Sequence, residues 1–170
     1  AGLYWSSEND AVMELYRDGD GALARRSPPG RVRQGPDGVL RIAGERWRYE
    51  PAMDGRPPRL KALYDPLPSR TFELVVDPGP ADTTLEEFAG AYRSDDLAMT
   101  YRVSVQEGSL WIEWDRVSPI QLSAAGQNRF FSPALGTVTF SRPSGSGVAG
   151  LTLSLRRVWR VPAQRLAAPL

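Results

Sequence analysis

The chain contains no cysteine and no histidine, and only one of its 21 basic residues is a lysine, Lys61. Without cysteine there is no disulfide framework and no thiolate nucleophile, and without histidine there is no Ser-His-Asp triad and no ordinary zinc site. The lysine does not belong to an S-x-x-K motif either, because Pro58 stands three residues before it. These absences exclude most familiar catalytic machinery, while a pair of carboxylates from distant strands stays open as an alternative. We predict a chain that is not an enzyme by itself, with no catalytic residues, no cofactor and no metal site.

An excess of charge of one sign is also missing, because 21 basic residues face 20 acidic ones and leave a formal net charge of +1. Such a balance provides no field that would hold a phosphate backbone, so we expect no nucleic-acid partner. No apolar run approaches the roughly 18 residues of a membrane span, and we expect a soluble chain without membrane insertion. Because the chain begins with Ala1, we expect that an upstream part has been removed.

Apolar residues alternate with polar ones over short stretches, which is the period of half-buried strands. In Tyr101–Gln106 the odd positions are apolar, Glu107 and Gly108 interrupt the pattern, and alternation resumes at Leu110, Ile112 and Trp114. This pattern predicts a hairpin. A second hairpin is predicted from Thr137–Phe140 and Leu151–Leu155, joined by a turn at Ser144–Gly147. Further strand candidates are Val12–Tyr16, Val39–Ile42, Glu45–Tyr49, Leu60–Tyr64, Phe72–Val76, Pro119–Leu122 and Arg129–Phe131.

One short helix is predicted near the middle of the chain. Thr84–Glu87 matches the capping box, Leu85 and Phe88 share a face, and Gly90 is placed to end the helix. The stretch before it, residues 77–82, is rich in proline and has the composition of a linker.

The two halves of the sequence resemble each other, which indicates a tandem repeat of roughly 80 to 88 residues. The matching segments are Ala1–Tyr4 with Ala89–Tyr92, Ala11–Leu23 with Ala98–Leu110, and Trp47–Tyr49 with Val138–Phe140. A unit of this length suits a small barrel or sandwich of short strands. We expect a leading helix in the second copy and none in the first, because the chain starts just after the corresponding point.

We therefore predict an all-β chain of two tandem, small, lipocalin-like antiparallel barrels, with one short helix before the second. The first barrel is expected over residues 1–78, a linker over 79–83 and the second barrel over 84–170. The alternative is one larger barrel or sandwich that shares strands from both halves.

Aromatic residues with neighbouring arginines are the candidates for contact with a partner domain or a ligand. We select Trp111, Tyr92, Arg102 and Phe130. Packing in a barrel core explains most of the aromatic residues equally well, but alternation turns Trp111 outward if its neighbours point inward. We prefer contact with a partner domain for Trp111, while a ligand and an ordinary surface position remain open.

Other motifs favour structural interpretations. Residues Gly145–Gly150 spell G-x-G-x-x-G, but strands flank them on both sides, so a hairpin turn is expected instead of a nucleotide loop. Asp18–Gly21 resembles the start of a calcium loop, but the later ligand positions are not acidic, so we expect a solvated turn. Arg156, Arg157 and Arg160 form a small basic patch, most simply a solvated face.

The second half resembles a known family. The pattern G-x-Y-x-S-D-x-L, followed by T-Y-R-V, looks like the C-terminal lipocalin-like β-barrel domain of serine hydrolases of the class C β-lactamase, penicillin-binding protein and D-aminopeptidase kind. The resemblance covers about residues 84 to 160, with a weaker echo over 1 to 76. The segments that carry it are Leu85–Leu97, Thr100–Val103, Gly108–Leu110, Leu135–Phe140 and Gly147–Ser154.

The resemblance implies a non-catalytic accessory region whose partner is an upstream catalytic domain that carries the serine and the lysine. In such relatives the barrels pack beside the catalytic domain and shape access to its active site. The compartment is unknown, and a periplasmic or secreted parent is compatible with the resemblance. The alternative is a ligand-binding barrel that holds a small apolar molecule, but the inward residues are mostly large, which favours a closed core. These inward residues are Tyr101, Val103, Leu110, Ile112, Phe140 and Leu153.

Overall fold

A computed structural model describes residues 1–26, 28–64, 70–76, 84–143, 147–155 and 160–167, and in them it contains strands and one short 3-10 helix, η1. The chain divides into two compact units, Ala1–Val76 and Asp77–Leu170. The strands of the first unit are β1 (Gly2–Ser6), β2 (Ala11–Arg17), β3 (Leu23–Arg25), β4 (Gly30–Gln34), β5 (Leu40–Ile42), β6 (Glu45–Glu50), β7 (Arg59–Ala62) and β8 (Thr71–Leu74). The elements of the second are η1 (Leu85–Phe88), β9 (Gly90–Ser94), β10 (Met99–Gln106), β11 (Ser109–Trp114), β12 (Val117–Ala124), β13 (Arg129–Ser132), β14 (Gly136–Ser141), β15 (Gly150–Ser154) and β16 (Val161–Arg165).

Each unit is a closed antiparallel barrel in which every strand pairs with the next one along the chain. Barrel 1 closes where β8 pairs with β1, with Leu74 opposite Tyr4. Barrel 2 closes where β16 pairs with β9, with Arg165 opposite Tyr92. The all-β prediction with two tandem barrels is therefore confirmed, and the single barrel or sandwich that shares strands is excluded. The predicted linker, residues 79–83, lies outside the described residues.

The hairpin predicted from alternation is formed by β10 and β11, with Val103 opposite Ile112. Its turn is Glu107–Gly108, and both residues have positive φ, 50° and 71°. This is the backbone geometry of a type I′ turn, which matches the twist of the flanking strands. The second predicted hairpin is formed by β14 and β15, while residues 144–146 of its turn lie outside the described part of the chain.

The barrel interiors are filled by inward-facing side chains. The six residues named above as lining the interior of the second barrel are buried, because strand alternation places them on the concave side of the sheet. The buried core of barrel 2 consists of Phe88, Tyr92, Tyr101, Val103, Leu110, Ile112, Leu122, Phe130, Leu135, Val138, Phe140, Val148, Leu151, Leu153, Val161 and Ala163. Among the residues that the structure describes, the core of barrel 1 is smaller and consists of Tyr4, Met13, Leu15, Ile42, Trp47, Leu60, Ala62 and Phe72.

The short helix differs from its prediction. It is a 3-10 helix of four residues, and the Thr84 side chain makes no capping hydrogen bond, so the predicted capping box is wrong. The helix ends at Phe88, with Ala89 as its C-terminal cap, whereas Gly90 already begins β9. The segment serves to deliver Phe88 into the core, where this side chain is fully buried. One turn is sufficient for that task.

The sequence repeat is real, but its alignment was wrong by one residue in the second strand. Tyr4 pairs with Met13 in barrel 1 and Tyr92 pairs with Tyr101 in barrel 2, so Met13 corresponds to Tyr101. The ungapped alignment instead set Met13 against Thr100, which faces the opposite side of the sheet. The physical reason is the connection between β2 and β3. Five residues separate the paired Arg17 and Leu23, whereas four separate the corresponding pair in the second barrel, Val105 and Leu110.

Five strands were missed as strands in the sequence: β1, β3, β4, β9 and β16. Among them, β3 and β4 are short and rich in arginine, so no apolar alternation marks them. Arg25, in β3, faces inward and is buried. It takes the place of Ile112, because Arg25 pairs with Leu15 as Ile112 pairs with Val103.

Candidate interaction site on the second barrel

Trp111 lies on the outer face of barrel 2, as alternation predicted. Its neighbours Leu110 and Ile112 are buried, whereas Trp111 is half-buried. The indole Nε1 donates a hydrogen bond to the carbonyl oxygen of Gln106 at 3.4 Å. Because the polar edge of the ring has a partner within the hairpin, the side chain presents mainly its apolar surface to the outside.

Arg102 shares this face with Trp111. In the β10–β11 ladder, Ser104 is opposite Trp111 and Arg102 is opposite Glu113, so Arg102 is the diagonal neighbour of the indole. Arg102 is exposed, and it forms no ion pair with any residue that the structure describes. Two of the four selected residues, Trp111 and Arg102, therefore lie together on one surface.

Arg102 also lines a groove of about 850 Å³ at one end of the barrel. Cationic and acidic side chains alternate in it, so its surface offers both signs of charge to a partner. We call it the β9–β12 groove. Its lining is Arg93, Ala98, Met99, Thr100, Arg102, Glu113, Trp114, Asp115, Arg116, Val117 and Ser118.

The guanidinium of Arg93 is fixed by its own hairpin. Its Nη1 donates to the carbonyl oxygen of Ala98 at 3.1 Å and approaches the Thr100 hydroxyl at 3.5 Å, while Nε lies 3.6 Å from the Asp95 carboxylate. Arg116 and Asp115, 3.8 Å apart, are both almost fully exposed at the next turn. Ion pairs this exposed contribute little to stability, so these charges are available for recognition.

The sequence patterns did not indicate Arg93, Thr100 and Glu113 as members of the groove. Thr100, Arg102 and Ser104 alternate with buried residues along β10, and that polar alternation was a usable signal for one outward face. Arg93 and Glu113 join the face only through strand pairing, with Arg93 opposite Thr100. Pairing register across strands is not visible in a single sequence.

Trp114 was expected to point inward with Leu110 and Ile112, and it does so only in part. The β11–β12 pairing shifts register between Ile112 and Trp114. Trp114 is therefore half-buried at the end of the barrel, packs edge to face on Tyr101 at 5.7 Å, and lines the groove. Burial raises the pKa of Tyr101 above its ordinary value.

Tyr92 and Phe130, the other two selected residues, are buried in the core of barrel 2. The Tyr92 hydroxyl donates to the carbonyl oxygen of Phe88 at 2.7 Å, and the Phe130 ring packs on Phe88 at 5.1 Å. Burial raises the pKa of Tyr92 to about 12 against the opposing effect of Arg165. Their burial removes both side chains from the surface that a partner domain would touch.

The interior expected to hold a ligand in the alternative hypothesis contains side chains packed on one another. Phe88 from η1 contacts Phe140 at 4.7 Å between ring centroids, and Phe130 contacts Phe140 at 5.7 Å. Tyr92 completes the cluster at 5.7 Å from Phe140. A barrel of eight strands is just wide enough for such side chains, which favours a closed core.

The remaining candidates are surface features. Asp18 and Asp20 both pair with Arg31, at 3.1 and 2.6 Å. Asp18 Oδ1 also accepts from the backbone N–H of Asp20 at 3.1 Å, as in an Asx turn, and from that of Ala22 at 2.9 Å. Of the basic patch, Arg160 is exposed, while Arg156 and Arg157 lie outside the described residues, as does the start of the G-x-G-x-x-G motif at Gly145.

Two further findings concern the described residues as a whole. Within them, no three acidic side chains come together in an arrangement that could hold a metal ion. Also within that part of the chain, no helix combines the length and apolar character needed to cross a bilayer.

Comparison with known proteins leaves the family open. No protein-family model matches the chain. A search of curated proteins also finds no match. The assignment of a function therefore depends on the sequence resemblance and on the geometry of the two barrels.

Proposed function

We propose that the chain is a non-catalytic, lipocalin-like accessory region of a serine hydrolase related to class C β-lactamases, penicillin-binding proteins and D-aminopeptidases. Its partner is the catalytic domain of that hydrolase. It stabilises this domain or shapes access to its active site, and the contact is made by Trp111 and the β9–β12 groove.

The observation that carries the proposal is the half-buried, outward-facing Trp111 beside Arg102 and the groove. Tryptophan and arginine are the side chains that most often dominate binding energy at protein interfaces. The groove adds charges of both signs, which suits the polar rim of such an interface. A barrel with a filled interior and a face of this kind is suited to contact a protein more than to enclose a small molecule.

The positions of the motif residues also support an accessory role. In the pattern G-x-Y-x-S-D-x-L, Gly90 begins β9, Tyr92 bonds to Phe88 inside the core, and Ser94 is fully buried. These residues build the wall and the closure of a barrel. The motif is therefore explained by the structure of the barrel, and it identifies a type of domain without requiring an active site.

The first test is an activity assay on the 170-residue chain. We expect no hydrolysis of a chromogenic β-lactam, of short-chain esters or of D-amino-acid amides. We expect activity when the chain is joined to a catalytic domain of this class at its N-terminus. Hydrolysis by the 170 residues alone would contradict the proposal.

The second test addresses the surface. In the joined protein, the double variant Trp111→Ala with Arg102→Glu should lower kcat/KM or the thermal stability of the catalytic domain. The matched control is Arg48→Glu, an exposed arginine on the outer face of barrel 1, which should change neither. If the double variant behaves as the control does, the groove is not the contact surface.

A further inference from the structure

The two barrels differ at the end where η1 lies. Phe140 and Tyr49 occupy corresponding places, because Phe140 pairs with Leu151 as Tyr49 pairs with Leu60. Phe140 is 3% exposed, whereas Tyr49 is 47% exposed. The difference has a visible cause, because the Phe88 ring of η1 packs on Phe140 with the ring centroids 4.7 Å apart.

The loop beside each of these aromatic residues has the same length, residues 51–58 in barrel 1 and 142–149 in barrel 2. In barrel 2 the loop holds η1, because Arg142 Nη1 donates to the Glu87 carboxylate at 2.6 Å and its guanidinium lies over the Phe88 ring. In barrel 1 the loop leaves Met53 69% exposed. The loop of barrel 2 therefore holds a short helix against the barrel end, whereas the corresponding loop of barrel 1 leaves Met53 uncovered.

Apolar side chains are concentrated at this end of barrel 1. Tyr49, Met53 and Val76 are three of the large apolar side chains that remain exposed among the described residues. Met53 and Val76 line one groove of about 490 Å³, together with Ala52, Asp54, Gly55, Arg56, Pro57 and Pro58. We call these residues and Tyr49 the open rim. Exposed apolar surface grouped in this way is typical of an interaction site.

The open rim also has a charge that suits the chemistry of η1. Arg56 is exposed and forms no ion pair within the described ranges. The first turn of η1 has two carboxylates, Glu86 and Glu87. Where barrel 2 has Arg165 bound to η1 carbonyls, barrel 1 has Leu74 at the corresponding position, so contact there is apolar.

We propose that the open rim of barrel 1 is a docking site for a short acidic turn that carries a phenylalanine and is presented by a partner domain. The phenylalanine packs on Tyr49 and beside Met53, as Phe88 packs on Phe140. A carboxylate of the turn pairs with Arg56. Barrel 2 therefore contains, within one chain, a complex of the type that barrel 1 forms with its partner. The inference does not depend on the β9–β12 groove.

The test uses the full chain and a synthetic peptide with the sequence of residues 84–90, Thr-Leu-Glu-Glu-Phe-Ala-Gly, blocked at both ends. The chain has three methionines, so methyl NMR gives one reporter at the rim, Met53, and two elsewhere, Met13 and Met99. We expect the peptide to shift the Met53 methyl in a saturable manner while the Met99 methyl stays unchanged. The same peptide with alanine in place of phenylalanine should produce no shift.

Variants of exposed residues keep the test independent of folding. Arg56→Glu and Val76→Asp should each weaken peptide binding at least about fivefold, and the Arg48→Glu control on the outer wall should leave it unchanged. An unshifted Met53 methyl at millimolar peptide would overturn the proposal. A Met53 shift that depends on protein concentration without peptide would also overturn it, since a second copy of the chain would then be the occupant.

Discussion

Barrel 1 and barrel 2 have the same strand order and closure, but they differ in the side chains that fill the interior and cover one end. Barrel 2 has an aromatic cluster around Phe88, which η1 places over one end. Within the described ranges, barrel 1 has fewer core residues, an exposed Tyr49 at the corresponding end, and a buried arginine, Arg25, where barrel 2 has an isoleucine. The barrel wall can therefore stay constant while its ends and a few inward positions change.

This difference teaches which positions are structural and which are available for function. Tyr4 and Tyr92 correspond, as do Gly2 and Gly90, which share a φ of 152°. A Cβ on Gly90 would lie 3.1 Å from the Arg165 guanidinium, so glycine permits the close approach of this side chain. Features shared by both barrels build the wall, whereas the open rim described above lies on barrel 1 and the β9–β12 groove lies on barrel 2.

The largest expected effect is at the sealed end. Phe88→Ala should destabilise barrel 2 by about 3–5 kcal/mol, because it removes a fully buried aromatic side chain and leaves a cavity next to Phe140. Urea titration followed by methyl NMR measures this, since Met99 reports on barrel 2 and Met13 on barrel 1.

The matched variant in barrel 1 is Tyr49→Ala. Because Tyr49 is half exposed, its loss should cost only about 1 kcal/mol. The loss in free energy of unfolding would then be several-fold larger for Phe88→Ala in barrel 2 than for Tyr49→Ala in barrel 1. Equal losses would show that the end of barrel 1 is as well sealed as that of barrel 2.

The next effect is a pH dependence of barrel 2. Burial raises the pKa of Tyr92 to about 12 from an ordinary value of 10.0, so the folded state holds this proton more tightly than the unfolded state. The associated stability is complete below pH 10 and is lost as the pH rises toward 12, a total of roughly 2–3 kcal/mol. Urea midpoints of barrel 2, read from the Met99 methyl between pH 9 and pH 12, measure this loss.

Tyr92→Phe is the control for this titration. It removes the ionisable group, so most of the decrease above pH 10 should disappear. It also removes the hydrogen bond to the Phe88 carbonyl, which should lower stability at neutral pH by about 1 kcal/mol. A decrease of unchanged size in Tyr92→Phe would assign the alkaline loss to another group.

Much of the wall of both barrels was predictable from the sequence, because an inward face of apolar residues leaves a period of two that is readable in one chain. The outward direction of Trp111 followed from the same rule. Two tandem barrels were predicted from the repeat, since a unit of this length suits a small barrel, but closure of the first half on itself was left open against a barrel that shares strands.

What the sequence did not predict depends on contacts between distant residues. β3 was missed because Arg25 is polar. The buried guanidinium is stabilised by Glu45, 20 positions away, which pairs with it at 2.7 Å, and by the carbonyl oxygen of Pro28, which accepts from its Nε at 3.0 Å. Tyr92 looked like a surface contact, but its hydroxyl is satisfied by a backbone carbonyl inside the core. The groove needed the register of β9 against β10, which a single sequence does not contain.

The buried arginine provides a third way to sharpen the comparison. Glu45→Gln should destabilise barrel 1 by about 2 kcal/mol, because it leaves the buried Arg25 guanidinium without its counter-charge while Glu45 itself is partly exposed. Replacing the arginine with the residue of barrel 2, Arg25→Ile, should cost less than about 1 kcal/mol, since no buried charge then remains. A urea titration read at the Met13 methyl distinguishes these outcomes. An unchanged urea midpoint in Glu45→Gln would show that the ion pair contributes nothing to the stability of barrel 1.

The smallest effect concerns the residue that holds η1 in place. The Arg165 guanidinium donates to the carbonyl oxygens of Glu87 and Ala89, the first at 3.1 Å, and its counterpart in barrel 1 is Leu74. Arg165→Leu should therefore cost only about 1 kcal/mol, because leucine keeps the contact over Gly90 and water can reach the half-exposed carbonyls. Amide hydrogen exchange should nevertheless become faster for the N–H groups of Glu87 and Ala89, which bond within the turn. In Arg165→Lys, which retains one charged donor, these exchange rates should lie between those of the unsubstituted protein and those of Arg165→Leu. Unchanged exchange rates in Arg165→Leu would mean that the packing of Phe88 alone holds η1 in place.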